Sequence, residues 1–314
     1  MNSATIRSRG FAGITATRWP ASAIFPTATD EHKETDVGQI IWIASYPKSG
    51  NTWTRAFLHN LFRDPKLSFN INEMTLLTAN EAAASNFAEF DSRPWEEWSL
   101  EDVARIRPQV QAALAGSRLH TIFCKTHLAV LKVRDHPTIN LNVTAGAVYL
   151  VRNPLDVAIS YANHQGLPLD RLIELMNLPN YETPNMEGLV NEPMGSWSQH
   201  VQTWTANPNP GLLVMRYEDM LASPVKAFSD LAKFLQLDAP RSRIERAVKN
   251  SSFKVLRKQE ELHGFHEKTA AQENFFRSGK AGEWKDVLSE EQVAAICNAH
   301  RDQMARFGYL PEGF

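Results

Sequence analysis

The stretch Ile40-Ile41-Trp42-Ile43-Ala44-Ser45-Tyr46-Pro47-Lys48-Ser49-Gly50-Asn51-Thr52-Trp53-Thr54-Arg55 constrains this chain more than any other. Ile40 to Ala44 form a short apolar run rich in β-branched residues, which predicts a strand. A turn containing Pro47 and Gly50 follows, and helical spacing begins at Phe57, Leu58 and Leu61. A strand-loop-helix unit of this kind aims backbone amides and the positive end of a helix at one point, so an anion is its natural occupant. Lys48 adds a full charge there. In the nucleotide-kinase pattern GxxxxGK[ST], Lys directly follows the last Gly, and a Mg²⁺-binding hydroxyl comes next. Here Asn51 follows Gly50 and the Lys precedes it, while Thr52 keeps a hydroxyl at the corresponding place. The loop reads as a phosphate cradle with its cation moved. Taken alone it leaves open a metal-using kinase, a metal-free anion site and an ordinary surface turn.

A chain of 314 residues with 43% hydrophobic composition can bury a large core. The reading is one domain over residues 37–314, preceded by a flexible tail over residues 1–36. Residues 1–29 hold Arg7, Arg9 and Arg18, several Ser and Thr and no acidic residue. That composition also fits an organelle transit peptide, with the flexible tail preferred. A net charge of −2 argues against a nucleic-acid binder, so any anion site is a local gathering of cations. Two cysteines, Cys124 and Cys297, cannot build a disulfide framework, and a reducing, cytoplasmic setting is expected. Cys124 lies in an apolar run and reads as core. Arg152 and Pro154 interrupt the best candidate for a membrane span of about 18 apolar residues, so none is expected.

Further strands are predicted over Leu119 to Cys124, Ala147 to Val151 and Leu212 to Arg216. Ser99-Leu100-Glu101-Asp102 has the form of a helix start, and Val103, Ile106, Val110 and Leu114 continue it to Gly116. Asn153 suits an N-cap and Pro154 the first helical position. More helices are expected over Gly195 to Trp204, Val225 to Leu235, from Ile244, and over Glu290 to Met304, with a short one around Leu172 to Leu175. The remainder of Leu167 to Met194 reads as mobile loop. Phe87, Phe90, Trp95 and Trp98 could line an acceptor pocket or pack a core under a loop. His263, His266 and Glu267 share one polar loop, which is weak evidence for a metal. Strands separated by helices predict an α/β fold, a mainly parallel central sheet flanked by helices. Ligands in such sheets sit at the carboxyl ends of the strands.

Four stretches together resemble the cytosolic sulfotransferases, which use 3′-phosphoadenosine 5′-phosphosulfate (PAPS). They are Tyr46 through Trp53, Lys125-Thr126-His127, Arg152 through Ser160, and Arg277-Ser278-Gly279-Lys280-Ala281-Gly282-Glu283-Trp284-Lys285. Gly195-Ser196-Trp197 and Tyr217-Glu218-Asp219 also look like that family, and the likeness runs from about Gln39 to Leu288. The resemblance implies that Lys48, Ser49, Gly50, Asn51 and Thr52 hold the 5′-phosphosulfate, with Lys48 near the oxygen bridging phosphorus and sulfur. It implies that Trp53 and Phe253 stack on the two faces of adenine, and that Ser251 and Tyr217 lie near the base. It further implies that Arg152, Ser160, Arg277 and Gly279 hold the 3′-phosphate with Ser278 in the same loop, that His127 is the base that takes the acceptor's proton, and that Lys125 sits beside it. The residue types suit the chemistry, because a fixed cation at the bridging oxygen favours the transition state and a His titrates near neutral pH.

The chain departs from the family's pattern at three places. Asn51 replaces the usual Thr, Ser278 stands where Lys is frequent, with Lys280 a candidate to compensate, and Ser289-Glu290 and Ala294 break the dimer motif. The resulting expectation is a PAPS-dependent transferase acting on a hydroxyl or amine of a small molecule, with no metal and no nucleic-acid partner. An ATP-using kinase and a non-catalytic nucleotide-binding protein are the rivals.

Overall fold

The computed structural model describes residues 38–117 and 121–314. The tail read over residues 1–36, and Leu119 at the start of the second predicted strand, lie outside the described residues. Seven strands are present among the described residues, in chain order β1 (Ile40–Ser45), β2 (Thr78–Asn80), β3 (Ile122–Thr126), β4 (Lys132–Val133), β5 (His136–Pro137), β6 (Thr144–Val151) and β7 (Leu212–Arg216). Five of them form one sheet in the order β2-β3-β1-β6-β7, every neighbouring pair parallel. β4 and β5 pair separately as a small antiparallel ladder.

β1 lies at the centre and is buried at every residue, which its unbroken apolar sequence requires of a strand covered on both faces. Side chains alternate across it. Ile40, Trp42 and Ala44 enter one core with Tyr149, Trp197, Trp204 and Ile296, whereas Ile41 and Ile43 enter the other with Phe57, Leu61, Phe228 and Leu231. The first core lies under the helices Pro154–Gln165, Trp197–Thr205 and Glu290–Arg306, and the second under α1 (Asn51–Arg63) and the helices Pro224–Phe234 and Arg241–Asn250. Each fully buried Ile or Leu here contributes roughly 1.5–3 kcal/mol of burial free energy. From β1 the chain crosses to β2 and β3 on one side, then to β6 and β7 on the other, so a topological switch point falls at the carboxyl end of β1.

The helix signals act where the residues place them. Ser99 caps the Leu100–Gly116 helix in a reciprocal box with Asp102, and Asn153 accepts from the Leu155 amide with Pro154 in the first turn. Differences from the sequence reading are local. α1 starts at Asn51 rather than at the apolar residues further on, β3 is shifted toward Thr126, and the Leu172 helix extends over Leu169–Asn177. β2 falls where no strand is predicted, and the Phe253–His263 helix reaches into a stretch read as polar loop. Phe87 and Trp98 are core residues, packed with Val103, Ile106 and Val110, whereas Phe90 is exposed. Cys124 is fully buried, as its apolar setting implies.

Candidate active site

Each strand around the switch point ends one residue short of a residue that matters. Tyr46 opens the loop after β1, His127 follows β3, Arg152 follows β6 and Tyr217 follows β7. Parallel registers, Ala44 beside Thr126, Ser45 beside Leu150 and Val151 beside Arg216, bring these positions to one edge of the sheet.

The loop from Tyr46 to Gly50 is built to face an anion. Lys48 adopts a left-handed conformation, φ 64°, and Gly50 reaches φ 107° at the head of α1. A Cβ on Gly50 would lie 3.0 Å from the Tyr217 ring, so both the backbone angle and the close approach call for Gly. No side chain caps α1, which leaves its first amides directed into the loop. Lys48 Nζ, Ser49 Oγ, Trp53 Nε1 and Arg152 Nε are all buried with no hydrogen-bond partner among the described residues. A cluster of buried donors and cations of this kind fits an anionic ligand.

Aromatic rings hold the two cations. Lys48 Nζ stands 3.8 Å from the centroid of the Phe275 ring, and the Arg152 guanidinium lies 4.4 Å over Tyr217. Burial, reinforced by Arg152, lowers the Lys48 pKa to about 7. Arg152 also ties two loops together, donating from Nη1 to Lys48 O at 3.0 Å and from Nη2 to Lys280 O at 3.2 Å. Lys48 and Arg152 therefore lie side by side at this edge of the sheet. Asn51 turns inward, its amide donating to Ile43 O at 2.9 Å and to Ser45 Oγ at 3.3 Å.

Trp53 meets Tyr217 and Phe228 edge to face, and with Phe253 it flanks a cluster formed by Ala56, Leu256, Phe265 and Phe276. Gly279, at φ 64°, lies so close to Phe253 that a Cβ there would come within 2.4 Å of the ring. Ser251 is fully buried and donates to Ala247 O at 2.9 Å within its own helix, so its proton is committed. Ser160 is partly buried on the helix that Arg152 precedes. Arg277 is exposed and makes two 2.6 Å bonds to Glu283, which Ser278 also contacts, and these bonds hold the Glu283 carboxyl below its usual range.

On the β3 side, His127 Nδ1 is 2.7 Å from Ser45 O. A carbonyl oxygen only accepts, so Nδ1 carries the ring proton and Nε2 keeps its lone pair. Burial first, and then Lys125, push the His127 pKa well below 6.5, leaving the ring neutral at neutral pH. His200, itself fully buried, holds the backbone in place by donating from Nε2 to His127 O at 3.1 Å, while its Nδ1 pairs with Tyr149 OH at 2.8 Å.

Three carboxylates shape the site: Asp156 and Glu260, for which the sequence suggests no role, and Glu267, which it offers only as part of a weak metal reading. Asp156 accepts from the amides of Gly282 at 2.7 Å and Trp284 at 3.1 Å, which docks the 277–285 loop beside Arg152. Glu260 accepts from the amides of Phe275 and Phe276 and so sets the ring under Lys48. Glu267 pairs with Arg55 and accepts from Thr52 Oγ1. No spacing signal in the sequence marks these carboxylates, because their partners are main-chain amides or side chains far along the chain. Among the described residues no group of three or more His, Cys, Asp or Glu could hold a metal ion, and no helix is long and apolar enough to cross a membrane.

The parallel sheet, the switch-point loop and the cations gathered there make an α/β protein whose side chains fit a phosphate-like anion. The family model described as Sulfotransferase domain matches residues 39–308, and the chain belongs to that family of enzymes. Sulfotransferase 1B1 of Mus musculus is 24% identical over 282 residues, covering 88% of this chain and 85% of that protein. Sulfotransferase 1A1 of Bos taurus is 25% identical over 288 residues, with 89% and 87% covered. Among solved structures, retinol dehydratase in complex with androsterone and the inactive cofactor PAP superposes with a TM-score of 0.59 at 21% identity, covering 84% of this chain and 80% of that one. Mouse sulfotransferase SULT7A1 complexed with PAP gives 0.53 at 20% identity, covering 85% and 84%. These superpositions show a shared fold.

Proposed function

We propose that the chain moves a sulfuryl group from PAPS to a hydroxyl or amine of a small molecule, using a single domain. The observation that carries this reading is the 2.7 Å contact from His127 Nδ1 to Ser45 O, because it fixes a proton-free Nε2 beside the loop that carries Lys48. When bound, PAPS supplies a sulfuryl group already activated on phosphate, and transfer leaves negative charge on that phosphate.

The chain's own residues answer that charge. The amides of Ser49, Gly50, Asn51 and Thr52 hold the phosphosulfate, and Lys48 keeps a desolvated cation at the leaving oxygen, where low dielectric makes it most effective. Trp53 and Phe253 flank the adenine, with Tyr217 and Ser251 at its edge. Arg152, Ser160, Arg277, Ser278 and Gly279 take the 3′-phosphate. Because side chains supply these cations, and Thr52 Oγ1 already donates to Glu267 at 3.4 Å, the reading requires no metal ion. His127 Nε2 accepts the proton that the acceptor loses, and Lys125 stabilises charge beside it. Two free, buried cysteines support a cytoplasmic setting.

Thermal-shift titration tests the donor half. Adenosine 3′,5′-bisphosphate should stabilise the protein without Mg²⁺, and ATP with Mg²⁺ should not. Label transfer from PAPS to a panel of phenols, alcohols, amines and sugars then tests the reaction. Stabilisation only by ATP and Mg²⁺ would return the site to a kinase, and nucleotide binding without transfer to any acceptor would make the protein a binding module.

A further inference from the structure

The peptide groups on either side of Arg152 are both held by one hydrogen-bonded pair. The amide of Asn153, the next residue, donates to Glu218 Oε1 at 3.0 Å. The carbonyl of Val151, the residue before, lies 3.4 Å from the hydroxyl of Tyr309. That hydroxyl lies 2.7 Å from Glu218 Oε2, and its proton goes there, because the contact is shorter and a carboxylate is the stronger acceptor. Glu218 directly follows Tyr217, whose ring lies 4.4 Å from the Arg152 guanidinium. The main chain and the side chain of Arg152 are thus both set from the exit of β7.

The Asn153 side chain cannot serve its own amide here, since its oxygen already accepts from the Leu155 amide at the head of the Pro154–Gln165 helix. Glu218 supplies the missing acceptor, and its charge suits the positive end of that helix. Tyr309 reaches it from the segment after the Glu290–Arg306 helix and is 5% exposed. The ring of Tyr309 has packing of its own. The Arg216 guanidinium stands 4.8 Å from its centroid, and Trp197 meets it edge to face at 6.4 Å. Its hydroxyl is therefore not needed to seat the ring, and what the hydroxyl adds is the hold on Glu218.

We propose that Tyr309 is a positioning residue for the donor's 3′-phosphate: by tethering Glu218 it fixes the turn that carries Arg152, without touching the ligand itself. The proposal rests on reading Arg152 as the cation at that phosphate.

Tyr309→Phe keeps the ring and removes only the hydroxyl. Calorimetry on wild type and variant compares adenosine 3′,5′-bisphosphate with adenosine 5′-phosphate, which lacks the group that Arg152 meets. The variant should bind the bisphosphate about threefold to tenfold more weakly, part of what one hydrogen bond to a carboxylate is worth, and bind adenosine 5′-phosphate as wild type does. Glu218→Ala removes both contacts and should lower the preference for the bisphosphate further. Adding Tyr309→Phe to Glu218→Ala should then change nothing, because the hydroxyl acts through the carboxylate. If Glu218→Ala does not fold, Tyr309→Phe decides alone. Equal weakening toward both nucleotides is what a loss of packing gives, and it overturns the proposal. A preference that Tyr309→Phe leaves intact overturns it too, as does a further loss in the double variant. Wild type that binds the two nucleotides equally overturns the donor reading of Arg152 instead, and the proposal falls with it.

Discussion

The loop after β1 and the loop from Arg277 to Lys285 both offer cations to an anion, and they do so in opposite ways. Lys48 is buried, lies against an aromatic ring and has no partner for its Nζ among the described residues. Arg277 is exposed and already holds Glu283 with two bonds. A desolvated cation acts strongly on charge that develops beside it, whereas an exposed one exchanges one screened partner for another. The inner loop should therefore govern the chemical step, and the outer loop the hold on the ligand.

The largest effect tests the inner side. His127→Gln should reduce kcat by about 10²–10⁴-fold with little change in donor KM, as steady-state rates at saturating donor would show. A loss confined to KM would move His127 out of the base role. Lys48→Met should cost about 10²–10³-fold in kcat. The charge of Lys48 also predicts a pH profile. Lys48 is a cation below about pH 7 and neutral above it, so kcat/KM for the donor should fall as pH rises through that value. Lys48→Arg keeps its charge throughout and should flatten the fall even if its absolute rate is lower.

Gly279→Ala comes next. Its left-handed backbone and the 2.4 Å approach to Phe253 should displace the ring and raise donor KM about tenfold, from strain of about 1–3 kcal/mol, while kcat changes less. Arg277→Ala should be the smallest, about fivefold or less in donor KM, and that difference should shrink further in added salt. Should Arg277→Ala rival Lys48→Met in kcat, the contrast between the two loops would be wrong.

Much of this was legible in the sequence because burial on both faces leaves a plain mark. β1 and β6 are buried at every residue and read as apolar runs, β7 reads as one although only its Met215 is buried, and the residues that follow them, Tyr46, Arg152 and Tyr217, inherit their place from the sheet. β2 escaped because three residues at a sheet edge, Thr78 to Asn80, carry no apolar run at all. The Phe253–His263 helix escaped because only Leu256 and Glu260 are buried, so its pattern is mostly polar. In the site, a Lys between Pro47 and Gly50 announces itself, but Asp156 and Glu260 do not, and Glu267 stands out only beside His263 and His266, as a metal reading that says nothing of its pairing with Arg55. Asp156 receives amides from Gly282 and Trp284, 126 and 128 positions away, and an amide has no residue identity from which the pairing could be guessed.

Arg152 grips the main chain of both loops at once, one hand on Lys48 and the other on Lys280. A guanidinium carries five N–H groups and Nε here has no partner, so Arg152 can offer a donor to an anion without letting go of either carbonyl. The fastening between the two loops should therefore be the same with and without a ligand, and the wall they form need not be rebuilt at each encounter.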